Sequence, residues 1–516
     1  MPEINWTALV IFVLLFGLIT WLGFAAARWR KGDLDLLHEW GLGGRRFGTV
    51  VTWFLVGGDV YTAYTFVAVP ALAFGAGAVA FFAVPYTILI YPLLFLVFPR
   101  LWNVCHKHGY ITAADFVRGR FGNRWLALAV TITGIVATLP YIALQLVGIQ
   151  VVVGALGVTG NGLAADLPLV IAFGVLAAFT YSSGLRAPAS IAIVKDILIY
   201  IATFAIIIVV PLKLGGFGKI FAAVPAGKVL LAVPGDHTTG AYSAYATLAL
   251  GSALALFLYP HSMTAILSAN SGHAIRRNAA ILPGYSFMLG LLAMIGLFVI
   301  AAGIADMPAY AHGFKQYGSN FAVPALVLHI FPSWFVGVVF AAIAIGALVP
   351  AAIMSIAVAN LYTRNIHREF INPNPTDKQE AQMAKWVSMV AKLGALIFIL
   401  FVPTKFAIEL QLLGGIWIIQ TLPAVMLGAY TRWFNDWALL CGWAAGTIAG
   451  TLMAVASKLT PTFALTLGGH TFPGYSALYT VVLNLVIAAV LTPLLNGMRS
   501  GRAPIDATAP ADYLAE

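Results

Sequence analysis

Residues 53–66, WFLVGGDVYTAYTF, interrupt a long apolar run with two adjacent glycines, a carboxylate and several hydroxyls. An aspartate in such a run must face protein or water, because a charge among acyl chains costs at least about 2.5 kcal/mol. Gly57 and Gly58 let the backbone leave the helix here, and Tyr61, Thr62, Tyr64 and Thr65 supply oxygens around Asp59. A helix broken at mid-depth, with its carbonyls exposed, forms an ion or solute site in a membrane protein. The competing reading places Asp59 near the cytoplasmic end of its span, paired with an arginine.

The rest of the chain supports a membrane setting. Of 516 residues 61% are hydrophobic and 9% charged, against roughly 25% charged in a soluble domain. Mean hydropathy is +0.93. Apolar runs long enough to span recur near 6–27, 47–74, 79–103, 126–156, 166–184, 189–212, 243–269, 279–304, 332–361, 385–403, 406–429, 437–457 and 474–495, about thirteen in all. Continuous runs of this length predict helices rather than a barrel. The first is too long for a signal-peptide core and has no small-residue cleavage site behind it, so it reads as a retained helix.

With the N-terminus outside and the C-terminus in the cytoplasm, most of the 28 lysines and arginines fall on the cytoplasmic side. The +10 net charge is thus topological and gives no reason to expect nucleic acid. Two cysteines, Cys105 in a predicted loop and Cys441 in a helix, offer neither a disulfide framework nor a metal site. Short loops leave no room for a separate catalytic domain. GxGxxG, GxxxxGK[ST] and HExxH are absent, which removes an ATP-driven motor and the common metallohydrolase signature. The only close histidine pair, His106 and His108, sits in a loop without a carboxylate motif, so an enzyme is not expected and no cofactor is implied. The tail 496–516, rich in Pro, Ala and Asp, reads as disordered.

Few ionisable groups lie within spans: Asp59, Lys195, Asp196, His261, Lys392 and Glu409. Lys392 and Glu409, near span ends, read as interfacial or structural. In LALFLYPHSMTAILSAN (254–270), Pro260 removes a backbone donor amid Tyr259, His261, Ser262 and Thr264. This is either a substrate-facing break or a kink around a core histidine. Lys195 and Asp196 are adjacent, about 100° apart on a helix, so each is expected to need its own partner. The lysine lies about 13 Å from the surface if Arg186 marks the boundary, too far to snorkel, which favours a buried ammonium.

Several motifs together resemble the sodium:solute symporter family: GGRRFG (43–48), GYITAADFVRGRFG (109–122), TYSSGLRAPASIAIVKD (180–196) and LPAVMLGAYTRWFNDWALLCGWAAGTIAG (422–450). The resemblance implies an all-α polytopic protein with a LeuT-like core of two inverted five-helix repeats, 47–212 and 243–429. Around them stand a peripheral first helix with its loop (1–46), two peripheral helices (430–495) and the tail. The breaks at Asp59 and Pro260 then open the first helix of each repeat. Family members hold sodium with carbonyls of the first core helix and a Ser/Thr pair on the eighth. Anchored on LYTRNIHREF (361–370), that pair is Val349 and Pro350 here, which cannot ligate a hard cation through their side chains. The fifth core helix carries Lys195-Asp196 where the family usually has Thr-Asp. A lysine standing in for the ion, and losing its proton as the cavity opens inward, implies coupling to H+ rather than Na+.

Within the family, SGLRAPASIAIVKD (183–196) and GALVPAAIMSIAVANLYTRNI (346–366) resemble the bacterial monocarboxylate permease branch. This implies a small organic anion such as lactate, pyruvate or an acetate-like acid, and perhaps alanine, carried across the bacterial inner membrane. The candidate substrate residues are Gly58, Tyr61, Thr62, Gln145, Tyr259, His261, Ser262 and Gln420; the candidate ion-coupling residues are Asp59, Lys195, Asp196, Val349 and Pro350. Gln145 fits a bridge between helices equally well. Besides the substrate, the lipid bilayer is the one partner implied; the sequence sets no oligomeric state. A sodium-driven symporter of amino acids or other small solutes is the alternative. A passive channel would need a continuous polar stripe, which is missing.

Overall fold

The computed structural model describes residues 3–28, 32–58, 60–158, 163–401, 407–498 and 505–514. Helices dominate. In chain order the principal ones are α1 Trp6–Ala25, α2 Thr49–Gly58, α3 Val69–Ala76, α4 Tyr91–Lys107, α5 Arg124–Ala155, α6 Leu163–Ser183, α7 Arg186–Leu214, α8 Gly240–Leu256, α9 Pro260–Leu267, α10 Gly272–Ala301, α11 Ser333–Tyr362, α12 Asp377–Phe401, α13 Ala407–Ile418, α14 Asp436–Ala456 and α15 Ser476–Met498. Every expected apolar run carries helix. Among the described residues eight helical stretches are long and apolar enough by themselves to cross a membrane, or nine when α8 and α9 are joined across their 49° bend. The second and third runs are divided differently from expectation. Helix stops at Gly58, and the span that follows runs from Tyr64 to Leu89, carried past Gly77 (φ +70°) by the turn Gly77–Phe82.

Burial sorts centre from rim. Helix α11, apolar on every face, is 94% buried over its most hydrophobic window, whereas α1 is 22% and α15 28% buried. A helix apolar all round belongs inside other helices, and α11 packs against α1, α5, α7, α9 and α12. Helix α2 packs on α7, α9 and α10, so both chain breaks adjoin the central layer.

Two features depart from the sequence reading. Between α14 and α15 stands an antiparallel hairpin, β1 Thr462–Leu467 and β2 His470–Tyr475. Its two-residue turn uses Gly468 (φ +57°) and Gly469 (φ +78°), the left-handed pair that a tight hairpin needs. It holds the start of α8, where Thr239 N–H donates to the Thr471 carbonyl at 3.1 Å and Ser243 Oγ to that of Pro473 at 2.6 Å.

The expectation of a disordered tail is corrected over residues 505–514. Thr508, Asp512 and Tyr513 are buried. Arg120 reaches Asp506 at 2.9 Å, Arg432 donates to the Thr508 carbonyl at 2.7 Å, and Lys107 and His108 both meet Asp512 at 2.7 Å. Composition alone misjudged the segment, because its partners come from distant basic loops. The Asp512 carboxyl is held far below the usual carboxylate range by Lys107, then by the Ala509 N–H and His108. A carboxylate depressed in the folded state stabilises above its unfolded value, and loses that contribution only as pH falls through the lower folded value. The tail is therefore expected to resist limited proteolysis at about pH 4, near the unfolded carboxylate value, as well as at neutral pH. Asp512→Asn should release it at both. Cleavage of the parent tail at about pH 4 would contradict the clamp.

Candidate functional site

Lys195 and Asp196 lie within the third turn of α7, and both side chains are fully buried. Contrary to the expectation for adjacent residues, they pair directly, Nζ to Oδ1 at 2.8 Å. The 100° rule governs the Cα–Cβ directions; four methylenes let the ammonium curl back over its own helix. The same Nζ donates to the carbonyls of Gly58 at 2.5 Å and Tyr61 at 2.9 Å. Both carbonyls lie outside the α-helical ladder because the chain leaves α-helical geometry after α2, and that of Gly58 also accepts the Tyr61 N–H at 3.2 Å. Asp196 accepts the Tyr285 hydroxyl on its second oxygen at 2.7 Å. A Cβ on Gly58 would lie 3.0 Å from Asp196 Oδ2 and 3.1 Å from Lys195 Nζ, so glycine makes room for the pair. Asp59 lies outside the described residues.

The broken segment is satisfied largely by its own side chains. Thr65 Oγ accepts the Thr62 N–H at 2.9 Å and Thr62 Oγ accepts the Tyr64 N–H at 3.0 Å. Gln145, on α5, accepts the Ala63 N–H at 3.1 Å and donates to the Tyr141 carbonyl, which is the bridging role. A turn of wider helix, Tyr64–Ala68, then leads into α3. Tyr61 is buried, donates to the Tyr285 carbonyl and packs edge-on against that ring at 4.2 Å.

At the second break Tyr259 takes an extended conformation (ψ 136°) and Pro260 opens α9, where its missing N–H costs nothing. The Tyr259 hydroxyl donates to the Gln411 carbonyl at 2.8 Å. His261 lies edge-on to Tyr141 and tilted against Tyr259, at 5.2 and 5.3 Å, and Ser262 is buried on the same first turn. A cavity bordered by Leu258, Pro260, Met263 and Thr264 has a volume of 20 Å³, room for one water. A solute larger than water can enter there only after the helices part.

Three expected members stand apart. Gln420 faces α15, donating to Thr480 at 2.9 Å and accepting from Asn484 at 3.1 Å, so it ties the core to a rim helix. Val349 and Pro350 are buried inside α11 and contribute no side-chain oxygen. Tyr285 and Tyr141 were missed. A tyrosine in an apolar run reads as packing, although Tyr141 lies four residues before Gln145 and therefore on its face of α5.

Chemically, the first break presents carbonyls to a cation, and an ammonium tethered to the chain already occupies them.

Comparison with known proteins follows from this geometry. The model of the sodium:solute symporter family matches residues 40–446. A monocarboxylate transport permease protein of Rhizobium johnstonii is 51% identical over 507 residues, covering 97% of this chain and 99% of its own. An uncharacterised symporter of Bacillus subtilis, YodF, is 32% identical over 95% of this chain and 94% of its own. Among solved structures, a Na+-coupled sialic acid symporter in a substrate-bound outward-open state superposes with a TM-score of 0.77 at 14% identity, covering 96% of this chain and 98% of that one. A nucleobase-cation-symport-1 transporter in a closed conformation gives 0.54 at 12% identity, covering 94% and 100%. At such identities the likeness is one of fold.

Proposed function

The chain belongs to the sodium:solute symporter family, and from that premise we propose that it imports a small monocarboxylate, such as lactate, pyruvate or an acetate-like acid, in symport with protons. It is a multi-pass membrane transporter of small solutes and not an enzyme. In this reading residues 47–212 and 243–429 form two inverted repeats in the bacterial inner membrane, with the N-terminus outside, and the substrate binds between their broken helices. The carboxylate is drawn by the N-terminal end of α9 and by hydroxyls at the breaks, among them Ser262, in the field of Lys195.

One observation carries the choice of proton. The Lys195 ammonium lies on the carbonyls of Gly58 and Tyr61, at 2.5 and 2.9 Å, which a sodium ion would otherwise share, while Val349 and Pro350 offer no ligand from α11. The monocarboxylate class rests on the Rhizobium relative's name and its 51% identity. The alternative, sodium-coupled uptake of a small solute, is supported by the family and by the Na+-coupled structural neighbour.

Labelled lactate uptake into proteoliposomes, with sodium and proton gradients imposed separately, decides between them. A gradient of one pH unit, acid outside, is expected to accumulate lactate up to about tenfold beyond protein-free liposomes, the ratio equivalent to about 1.4 kcal/mol. A sodium gradient at clamped pH should drive nothing. Uptake that follows sodium and ignores the pH step would overturn the reading.

A further inference from the structure

A second lysine is buried at membrane depth, and the site above does not use it. Lys392, on α12, is 2% exposed. Toward the cytoplasm the next basic residue of α12 is Lys385, 3.7 Å from Asp35. Seven residues separate the two lysines, about 10 Å of helix, more than the stem of Lys392 can bridge to reach the surface.

Among the described residues the hydrogen-bond partners of Lys392 are neutral. Its ammonium donates to Ser388 Oγ at 2.7 Å and more weakly to the Ser388 carbonyl at 3.4 Å. Ser388 Oγ donates to Ser355 Oγ at 3.2 Å, and Ser355 to the Ala352 carbonyl at 2.8 Å. A chain of donors thus runs from the ammonium on α12 into α11, ending at the Ala352 carbonyl, two residues from Pro350. The elements packed on α12 are α5, α6, α11, the short helix Leu37–Leu42 and the turn Thr363–Ile371. Their charged groups are engaged elsewhere: Glu39 with Arg46 and Arg186, Arg364 and Arg368 with Glu380, Glu369 with Arg118, and Arg124 over Trp125. His38 adjoins Glu39, Tyr141 packs on His261, Tyr181 bonds Gln382, and His367 lies in the turn beyond α11. Asp166 sits at the other end of α6 from Tyr181. On α12 itself Lys378 and Lys385 meet Asp35, and Asp377 lies in the first turn beside Glu380.

We propose that Lys392 is the residue that carries the coupled proton, while Lys195, held by a carboxylate and two carbonyls, is a fixed substitute for the ion. The proposal rests on the proton-coupled reading above and names the group that performs it. Among the described residues no counter-charge reaches Lys392, and an amine can meet the Ser388 hydroxyl either as donor or as acceptor. On losing its proton, Nζ gains a lone pair that the Ser388 hydroxyl can donate to. The hydroxyl then turns away from Ser355 and breaks a link between α12 and α11. Protonation ties the two helices, and deprotonation releases them.

The full chain in proteoliposomes tests this with two readouts, pH-driven lactate accumulation and lactate exchange at equal pH. Lys392→Gln is neutral, and Lys392→Arg keeps a charge that does not titrate, which protects the fold if a buried cation is structurally required. Both are expected to retain measurable exchange while the accumulation ratio falls from about tenfold, one pH unit's worth, to one. Undiminished accumulation by Lys392→Gln would overturn the proposal. Loss of exchange in both variants would overturn it too, since a purely structural lysine behaves that way. A parent protein driven by sodium and blind to pH would instead remove the premise, an outcome visible without any variant.

Discussion

Lys195→Met is expected to abolish uptake and to cost about 3–5 kcal/mol of folding stability, the usual penalty for stripping one partner from a buried ion pair. Asp196, fully buried, would keep only the Tyr285 hydroxyl at 2.7 Å. The carbonyls of Gly58 and Tyr61 would lose the ammonium that bridges them; that of Gly58 keeps the Tyr61 N–H at 3.2 Å, while that of Tyr61 is a buried acceptor stripped of this donor. The double variant Lys195→Met/Asp196→Asn removes both charges and should recover much of the stability without recovering transport. The two effects separate because stability depends on charge balance, whereas the site needs a cation on the broken helix. Thermal unfolding in detergent for the parent, both single variants and the double variant closes a thermodynamic cycle. If the single and double variants unfold at the same temperature, the pair carries no coupling and its assignment as the core of the site fails.

How much of this could be read beforehand varies by residue. The break after Gly58 was visible because glycines and clustered hydroxyls have no purpose in a lipid-facing helix. Burial of Lys195 followed from distance to the interface, which depends only on helical rise. Its pairing with Asp196 was not visible, because a rule about Cβ directions does not describe a side chain long enough to turn back on itself. Gln420 illustrates a second limit. A glutamine in an apolar run must find a partner, but whether that partner is a substrate or Thr480 and Asn484 depends on which face meets which helix. The hairpin at 462–475 was legible in principle, since Gly468-Gly469 stands between two β-prone runs. The docked tail was not, since its partners Lys107, Arg120 and Arg432 are scattered over the chain. Asp59 lies outside the described residues, and the first break is marked by the carbonyls of Gly58 and Tyr61 beside it.

The second large effect is expected at the N-terminal foot of α7. Arg186, 1% exposed, bonds both the carboxylate and the carbonyl of Glu39. Glu39 also meets Arg46 at 2.8 Å. The same contact is fixed by backbone: Leu185 N–H donates to the Trp40 carbonyl at 2.9 Å, and Gly184 (φ +56°) has that oxygen only 2.3 Å from where a Cβ would stand. This junction sets the height of α7, and hence where Lys195 lies against the first break. Removing either partner is not equivalent. Glu39→Ala takes from the buried Arg186 the carboxylate it bonds and should cost about 3–5 kcal/mol. Arg186→Met keeps apolar bulk and leaves Glu39 with Arg46, a pair half open to solvent on the arginine side, and should cost less. Uptake should fall with both, more steeply for Glu39→Ala, as α7 shifts and the ammonium leaves the carbonyls of residues 58 and 61. Equal losses of unfolding temperature for the two variants would show that Arg46 does not share the charge.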